Sequence, residues 1–266
     1  MQFSDEDLAE LLLARNLLEN PGFAARIASA VGKPIDMAFG RLPESWQLIV
    51  ADASKAAMFK AADAAVFTMK DVPGQAASNR WHLAGVTTTG AVGGFFGLAG
   101  LPLELPVSTT IMLRSIADVA RSYGEVVSEY ETKLACLTVF ALGGTSKSDD
   151  AAESGYFAIR AGLARAVQEA IKYMAAGAGR KSTPALIQLI ERIAERFAIS
   201  VSEKTMAQLI PAIGALGGAA INAGFMSHFQ DMAKGHFIVR KLERRYGPRA
   251  VRSVYESLAD RVKASP

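Results

Sequence analysis

The residues best suited to chemistry in this chain are a carboxylate and a histidine that lie in apolar surroundings. Glu104 is flanked by leucines and prolines in "GLPLELP" (100–106). His228 lies in a second apolar stretch, "NAGFMSHFQ" (222–230). Carboxylates and imidazoles are the usual general acids and bases, so Glu104 and His228 are the candidate catalytic residues. A hydrolase acting on an apolar substrate is one hypothesis that these two residues support.

The favoured interpretation of Glu104 is a buried structural ion pair, and a functional carboxylate is the alternative. A carboxylate in an apolar neighbourhood needs a positively charged partner to remain ionised. Arg114 is one candidate partner, although ten residues are nearly three helical turns. Arg240 and His228, from the other half of the chain, are the remaining candidates.

The segment 222–247 holds the densest group of polar side chains, but its spacing does not favour a metal site. His228 and Asp231 are three residues apart and share a helical face, whereas His236 is rotated from His228 by about 80°. Arg240 and Glu243, also three apart, are expected to form a surface ion pair. The predicted polar, ligand-binding cluster comprises Arg114, Asn222, Asp231, Arg240, Glu243 and Tyr246.

The chain lacks the short motifs that mark the common catalytic and cofactor sites. It contains no H-E-x-x-H, C-x-x-C or G-x-S-x-G, and "GAGRKST" (177–183) lacks the spacing of a phosphate-binding loop. The sequence therefore indicates no cofactor and no metal. Its basic end has no groove-reading motif or stacking platform, so nucleic acid is not an expected partner.

Signals for α-helices recur along the chain and predict the elements that hold these residues. Capping boxes begin at Ser4 and Ser128, and Thr183 followed by proline is a third helix start. Gly124 and Gly247 are placed as glycines that end helices. One apolar stripe is formed by Leu186, Ile190, Ile193 and Phe197. We predict an all-α protein with one domain over 1–266, polar loops at 143–155 and 176–183, N-terminal helices over 1–79 and a core over 80–260.

Two glycine-rich runs without a charged residue occupy 83–103 and 205–230. Either is long enough to cross a bilayer, but prolines at 102, 106 and 211 are expected to break the helices. The glycine pairs 90/94, 93/97 and 214/218 are four residues apart, a spacing that lets helices approach closely. We therefore predict two helical, hairpin-like segments packed closely together, either in the protein core or dipping into lipid.

Charge is distributed unevenly, although the net charge is only +3. Residues 1–50 carry four basic and seven acidic side chains, whereas residues 232–266 carry nine basic and three acidic. A basic end can attract phosphate groups of lipids, and a solvated helical face is the simpler alternative. The single cysteine, Cys136, lies in an apolar run, and the acidic start does not resemble a signal peptide. These features favour the cytoplasm.

The glycine-rich pattern and the segments that follow it resemble the EcsC protein family. The resemblance lies in "GAVGGFFGLAGLPLELPVSTTIMLRSIADVARSYGE", "ETKLACLTVFALGG" and "IPAIGALGGAAINAGFMSHFQDMAKGHFIVRKLERRYG". It implies a bacterial protein, cytoplasmic or peripheral to the inner membrane, and it carries no established reaction. The matching motif positions are Trp81, Glu104, Pro106, Arg114, Tyr123, Gly124, Asn222, Phe225, His228, Arg240, Glu243 and Tyr246.

Three functions follow from these observations. The favoured hypothesis is a non-catalytic protein that associates with the membrane and contacts lipid, with anionic headgroups facing its basic end. Its predicted membrane-contact residues are Phe95, Phe96, Leu98 and Leu101. The alternatives are the hydrolase already described and a soluble accessory partner of a membrane protein, such as an ABC transporter, which the resemblance suggests.

Overall fold

The computed structural model describes residues 3–19, 42–68, 97–143, 155–176, 183–209 and 218–263. Within these ranges the chain forms α-helices, one short 3₁₀ turn over Val139–Ala141 and no β-strand, which confirms the all-α prediction. The helices are α1 (Asp5–Leu18), α2 (Glu44–Thr68), α3 (Gly97–Ser122), α4 (Tyr130–Thr138), α5 (Gly155–Ala175), α6 (Pro184–Leu209), α7 (Gly218–Tyr246) and α8 (Pro248–Lys263).

Helix α7 is the longest of the described helices and contacts most of the others. It packs against α1, α3, α6, α8 and the 3₁₀ turn, while α2 packs on α3 and α6, and α5 packs on α6. Four phenylalanines from three of these elements pack ring against ring in the centre, at centroid distances of 5.1–6.2 Å. They are Phe140, Phe197, Phe225 and Phe229. The core thus forms where α6, α7 and the 3₁₀ turn meet.

The helix starts follow the local signals in two cases out of three. Ser4 caps α1 by accepting a hydrogen bond from the Asp7 backbone N–H at 3.2 Å. Thr183 precedes α6 and accepts from the Leu186 N–H at 3.4 Å. The capping box predicted at Ser128 is wrong in its register, because Glu129 occupies the cap position of α4 and its side chain makes no capping bond.

Helix α3 continues through Pro102 and Pro106, so the predicted break at these prolines is wrong. Both prolines lie in the first half of the helix, where each removes one backbone hydrogen bond to the preceding turn. The helix holds because it buries Leu101, Leu105 and Met112 in the core. Burial of large apolar side chains contributes about 1.5–3 kcal/mol each, which offsets the lost bonds.

Helices pack closely around a glycine in this structure, but the clearest example, Gly235, is not one of the glycines that the sequence analysis singled out. A side chain at Gly235 of α7 would lie 2.7 Å from the Leu18 side chain and 3.0 Å from the Ala14 carbonyl of α1. Of the predicted glycines, Gly97 and Gly218 begin α3 and α7, and those two helices pack against each other. The glycines at 90, 93, 94 and 214 lie outside the described residues, so the hairpin-like packing stays a prediction.

Both glycines predicted to end helices do so in the left-handed conformation. Gly124 has a φ of 81° and Gly247 a φ of 86°. After α3 the Glu125 N–H donates to the Ala120 carbonyl at 3.1 Å, the bond that closes a Schellman motif. This turn places Glu125 immediately beyond the end of α3, where it becomes buried.

The left-handed turn makes Gly124 sensitive to substitution. We expect Gly124→Ala to lower the free energy of unfolding by about 1–2 kcal/mol, because a β-carbon is strained at positive φ. Gly162→Ala is the matched control, since Gly162 lies within α5 and a β-carbon added there would meet no atom within 4 Å. That change should stabilise the protein by about 0.5–1 kcal/mol. Urea unfolding of both variants checks the opposite signs, and equal effects would contradict the assignment.

Candidate functional site

The sequence-predicted carboxylate Glu104 lies in a buried ion pair between three helices. Lys204 of α6 donates from Nζ to Glu104 Oε1 at 2.7 Å, and Asn222 Nδ2 of α7 donates to the same oxygen at 3.0 Å. The side chains of Lys204 and Glu104 are 1% and 6% exposed. The Lys204 ammonium also lies 5.3 Å from the centroid of the Phe225 ring. The favoured interpretation, a buried ion pair, is confirmed.

The partner of Glu104 is none of the three residues proposed from the sequence. Arg114 is exposed on α3, Arg240 pairs elsewhere, and His228 forms a 2.7 Å hydrogen bond between its Nε2 and the Gly143 carbonyl. The sequence nevertheless contained an indication that Lys204 is the partner of Glu104. Glu104 directly follows the first charge-free run and Lys204 directly precedes the second, so the packed helices bring these two flanking charges together.

A second buried carboxylate, Glu125, lies between two arginines of α7. Arg240 donates from Nε at 2.9 Å and from Nη2 at 3.2 Å, Arg244 donates from Nη1, and Thr132 donates at 3.1 Å. Burial by itself would raise the pKa of Glu125, but the hydrogen bonds and charges of the two arginines outweigh it. The pKa of Glu125 is therefore lowered. Arg240 Nη2 also reaches Glu131 of α4 at 3.1 Å.

The C-terminal part of α7 is tied to the rest of the protein by charges. We call residues 240–246 of α7 the anchoring segment. Lys241 pairs with Glu10 of α1 at 2.8 Å, and Arg245 pairs with Asp7 at 2.7 Å. The Tyr246 hydroxyl also donates to Asp7, and this bond is the main reason why the pKa of Asp7 is lowered.

Arg240 and Glu243 do not pair with each other, so the predicted surface pair is wrong. Glu243 instead accepts two hydrogen bonds from Arg160 of α5, at 2.8 and 3.0 Å. A pair three residues apart on an exposed helix contributes only about 0.2–0.5 kcal/mol. Partners on other helices bind these groups where water is partly excluded, and there the two-point arginine–carboxylate geometry is stronger.

Arg160 also begins a chain of hydrogen bonds to a buried histidine. Its Nη1 donates to the Tyr156 hydroxyl at 3.1 Å, and that oxygen lies 3.0 Å from His236 Nδ1. Burial, followed by the charges of Arg160 and Arg240, holds the pKa of His236 well below its usual value. His236 is therefore neutral at physiological pH. No sequence motif indicated this arrangement, because Tyr156 and His236 are 80 residues apart.

The remaining predicted residues are not gathered into one site. Asp231 is partly buried, and the part of the chain that the structure describes holds no group of three histidines, cysteines or acids able to bind a metal.

Of the predicted membrane-contact residues, Leu101 is buried, whereas Leu103, two residues later, is 81% exposed. Phe95 and Phe96 lie outside the described residues, and for Leu98 the structure describes only the backbone, which is part of α3. No described helix has both the length and the apolarity to cross a bilayer.

The described residues thus define an all-helical protein in which buried carboxylates meet cations from α6 and α7. The chain belongs to the EcsC protein family, whose model matches residues 23–242. This match begins and ends earlier than the core predicted over 80–260, so it includes α2 and stops within α7. No curated protein and no solved structure matches the chain.

Removing one member of the buried pair should be far worse than removing both charges. We expect Lys204→Met to lower the free energy of unfolding by about 3–5 kcal/mol, because it leaves the Glu104 carboxylate buried without a counter-charge. The double variant Glu104→Gln, Lys204→Met should recover much of this loss. Lys55→Met is the control, since the Lys55–Glu191 pair is exposed to water and its loss should have little effect on stability. Urea unfolding measures all three, and equal losses for both lysine variants would refute the burial argument.

Glu125 should make stability fall at acid pH. Because its pKa is lower in the folded than in the unfolded protein, its contribution is present above the unfolded value, near 4.5, and is lost as pH falls through the folded value. The difference in unfolding free energy between wild type and Glu125→Gln should therefore shrink as pH falls from about 6 to about 3, as measured by urea unfolding at each pH. Glu169→Gln removes an exposed pair with Arg165 and should show no such trend. A constant difference for Glu125→Gln would contradict this account.

Proposed function

We propose that this protein associates peripherally with the cytoplasmic face of the inner membrane and contacts lipid through the start of α3. The observation that carries the proposal is the exposure of two large apolar side chains there. Leu103 is 81% exposed and Val107, one turn later, is 41% exposed. The same turns bury Leu101 and Leu105. The start of α3 is therefore apolar on its outer face as well as on its inner face.

An isolated exposed leucine is common on protein surfaces, so the argument depends on context. Leu103 is the last residue of the charge-free run that contains Phe95 and Phe96, and Val107 lies four residues later on the same helical face. Arg114, also exposed, lies on that face eleven residues beyond Leu103, or about 16 Å along the helix. Apolar side chains at one end of a face and a cation further along suit a helix that enters the headgroup region.

The basic C-terminal region contributes less charge to this binding than its composition indicates. Five of its nine basic side chains pair with acidic side chains of the protein itself: Arg240, Lys241, Arg244, Arg245 and Arg252. Lys234 and Arg249 are exposed and remain the described candidates for headgroup contact. Because few cations are available and the apolar surface is small, binding to the membrane should be weak and reversible. It should require both the apolar face of α3 and the basic side chains.

Cosedimentation with liposomes tests this proposal. Wild-type protein should sediment with vesicles of phosphatidylglycerol and phosphatidylethanolamine at low salt, and the bound fraction should fall as salt rises. The double variant Leu103→Ser, Val107→Ser should lose at least about tenfold in affinity, because two apolar side chains no longer enter the bilayer. Leu13→Ser is the matched control, since Leu13 is an exposed leucine on a different helix, α1.

Two outcomes would overturn lipid binding. One is full recovery of the wild-type protein in the supernatant at low salt. The other is an equal loss of binding in the α3 and α1 variants. Binding to native membranes but not to protein-free vesicles would instead support the accessory role, in which the same face of α3 contacts a membrane protein such as a transporter.

A further inference from the structure

A cleft of about 350 Å³ opens between α4, α5 and α7, on a different part of the protein from the exposed face of α3. One side of the cleft is apolar and includes Ala135 of α4 together with Leu163, Ala164, Val167 and Ile171 of α5. Arg160, His236 and Arg240 also line it. The cleft thus combines a continuous apolar wall with a small number of polar groups, which is the usual composition of a ligand site.

The polar groups include a buried hydrogen-bond donor that has no partner among the described residues. His236 is 2% exposed, and its Nε2 atom makes no hydrogen bond there. Arg160 can only donate to the Tyr156 oxygen, so His236 Nδ1 is the one acceptor among the described contacts of the Tyr156 hydroxyl, and we assign the hydroxyl proton to that bond. A neutral imidazole that accepts at Nδ1 carries its proton on Nε2. Leaving such a group buried and unsatisfied is costly, so this N–H is suited to an acceptor on a ligand.

The charge around His236 favours an acceptor that is negative. The guanidinium groups of Arg160 and Arg240 are the charges that act most strongly on its ring, and both lower its pKa. Glu131 also lines the cleft, but its side chain is 59% exposed and is paired with Arg240 at 3.1 Å. Water screens an exposed carboxylate more strongly than it screens the partly buried guanidinium groups. Arg160 and Arg240 are also paired with largely buried carboxylates, Glu243 at 2.8 Å and Glu125 at 2.9 Å, so only the charge that these pairs leave unbalanced acts on the ring. The lowered pKa of His236 is in line with a net positive effect at the imidazole.

We propose that this cleft binds a fatty carboxylate, with its head group accepting a hydrogen bond from His236 Nε2 near Arg160 and Arg240 and its alkyl chain along the apolar wall. Each part of the ligand has a counterpart among the residues that line the cleft: His236, whose Nε2 lacks a described partner, for one carboxylate oxygen, the guanidinium groups of Arg160 and Arg240 for the charge, and five apolar side chains for the chain. This inference does not depend on the proposed membrane contact, because the two sites use different helices.

Isothermal titration calorimetry with decanoate tests the site on the full-length protein. We expect saturable binding of one decanoate, at least about tenfold tighter than binding of 1-decanol, which has the same chain length without the charge. Ala164→Trp should abolish binding by filling the cleft from an exposed position. Ala161→Trp is the matched control, since Ala161 is exposed on the same helix and does not line the cleft.

A pair of substitutions tests the role of His236 itself. His236→Asn retains a polar atom near the position of Nδ1 and deletes the Nε2 donor, so it should weaken decanoate binding by roughly tenfold. His236→Gln places an amide near Nε2 and should bind more tightly than His236→Asn. Thermal unfolding of each variant confirms that it is folded. Undiminished binding in Ala164→Trp, equal affinity for decanoate and 1-decanol, or no binding at millimolar decanoate would each overturn the proposal.

Discussion

The carboxylate of Glu125, buried between Arg240 and Arg244, is the interaction on which the arrangement of the helices depends. A buried carboxylate without a counter-charge would be expensive, and two guanidinium groups compensate it at hydrogen-bond distance. The pair joins the turn after α3 to the end of α7, and Arg240 extends it to Glu131 in α4. Because α7 also contacts α1, α6 and α8, fixing its end positions the helices that form the core.

The anchoring segment applies the same principle to the outer helices. Its side chains pair with acids of α1 and with Arg160 of α5, so neighbouring residues of one helix are bound to different elements. The more exposed of these pairs, such as Lys241–Glu10, contribute little individually. Together these ion pairs fix the orientation of α7. A helix that is bound on several sides has one rotation about its axis that satisfies all its partners. That rotation places His236 next to Tyr156 and at the cleft.

The two proposed contacts with apolar molecules have different physical origins. At the start of α3, apolar side chains remain exposed because both faces of the helix are apolar and only one faces the core. In the cleft, the apolar wall is an outer part of α5 beside charged groups that are already matched to each other. The first surface suits an extended partner such as a bilayer, whereas the second is concave and suits a single small amphiphile.

Local patterns were sufficient to predict the all-α class, the caps at Ser4 and Thr183, the glycines that end α3 and α7, and the buried face of α6 through Phe197. Each of these depends on residues within a few turns of one another, so hydrophobic period and capping chemistry determine them. The family assignment also followed from the sequence, because the glycine-rich and proline-rich motif is continuous along the chain.

The tertiary structure decided which charges meet and which apolar side chains remain exposed. Glu104 is paired with Lys204 rather than Arg114, and Glu243 with Arg160 rather than Arg240, across 100 and 83 residues. The exposure of Leu103 and burial of Leu101 likewise depend on a helix that continues through two prolines. Local spacing cannot determine such outcomes, because the energy of a buried charge or a neighbouring leucine depends on what another helix places against it.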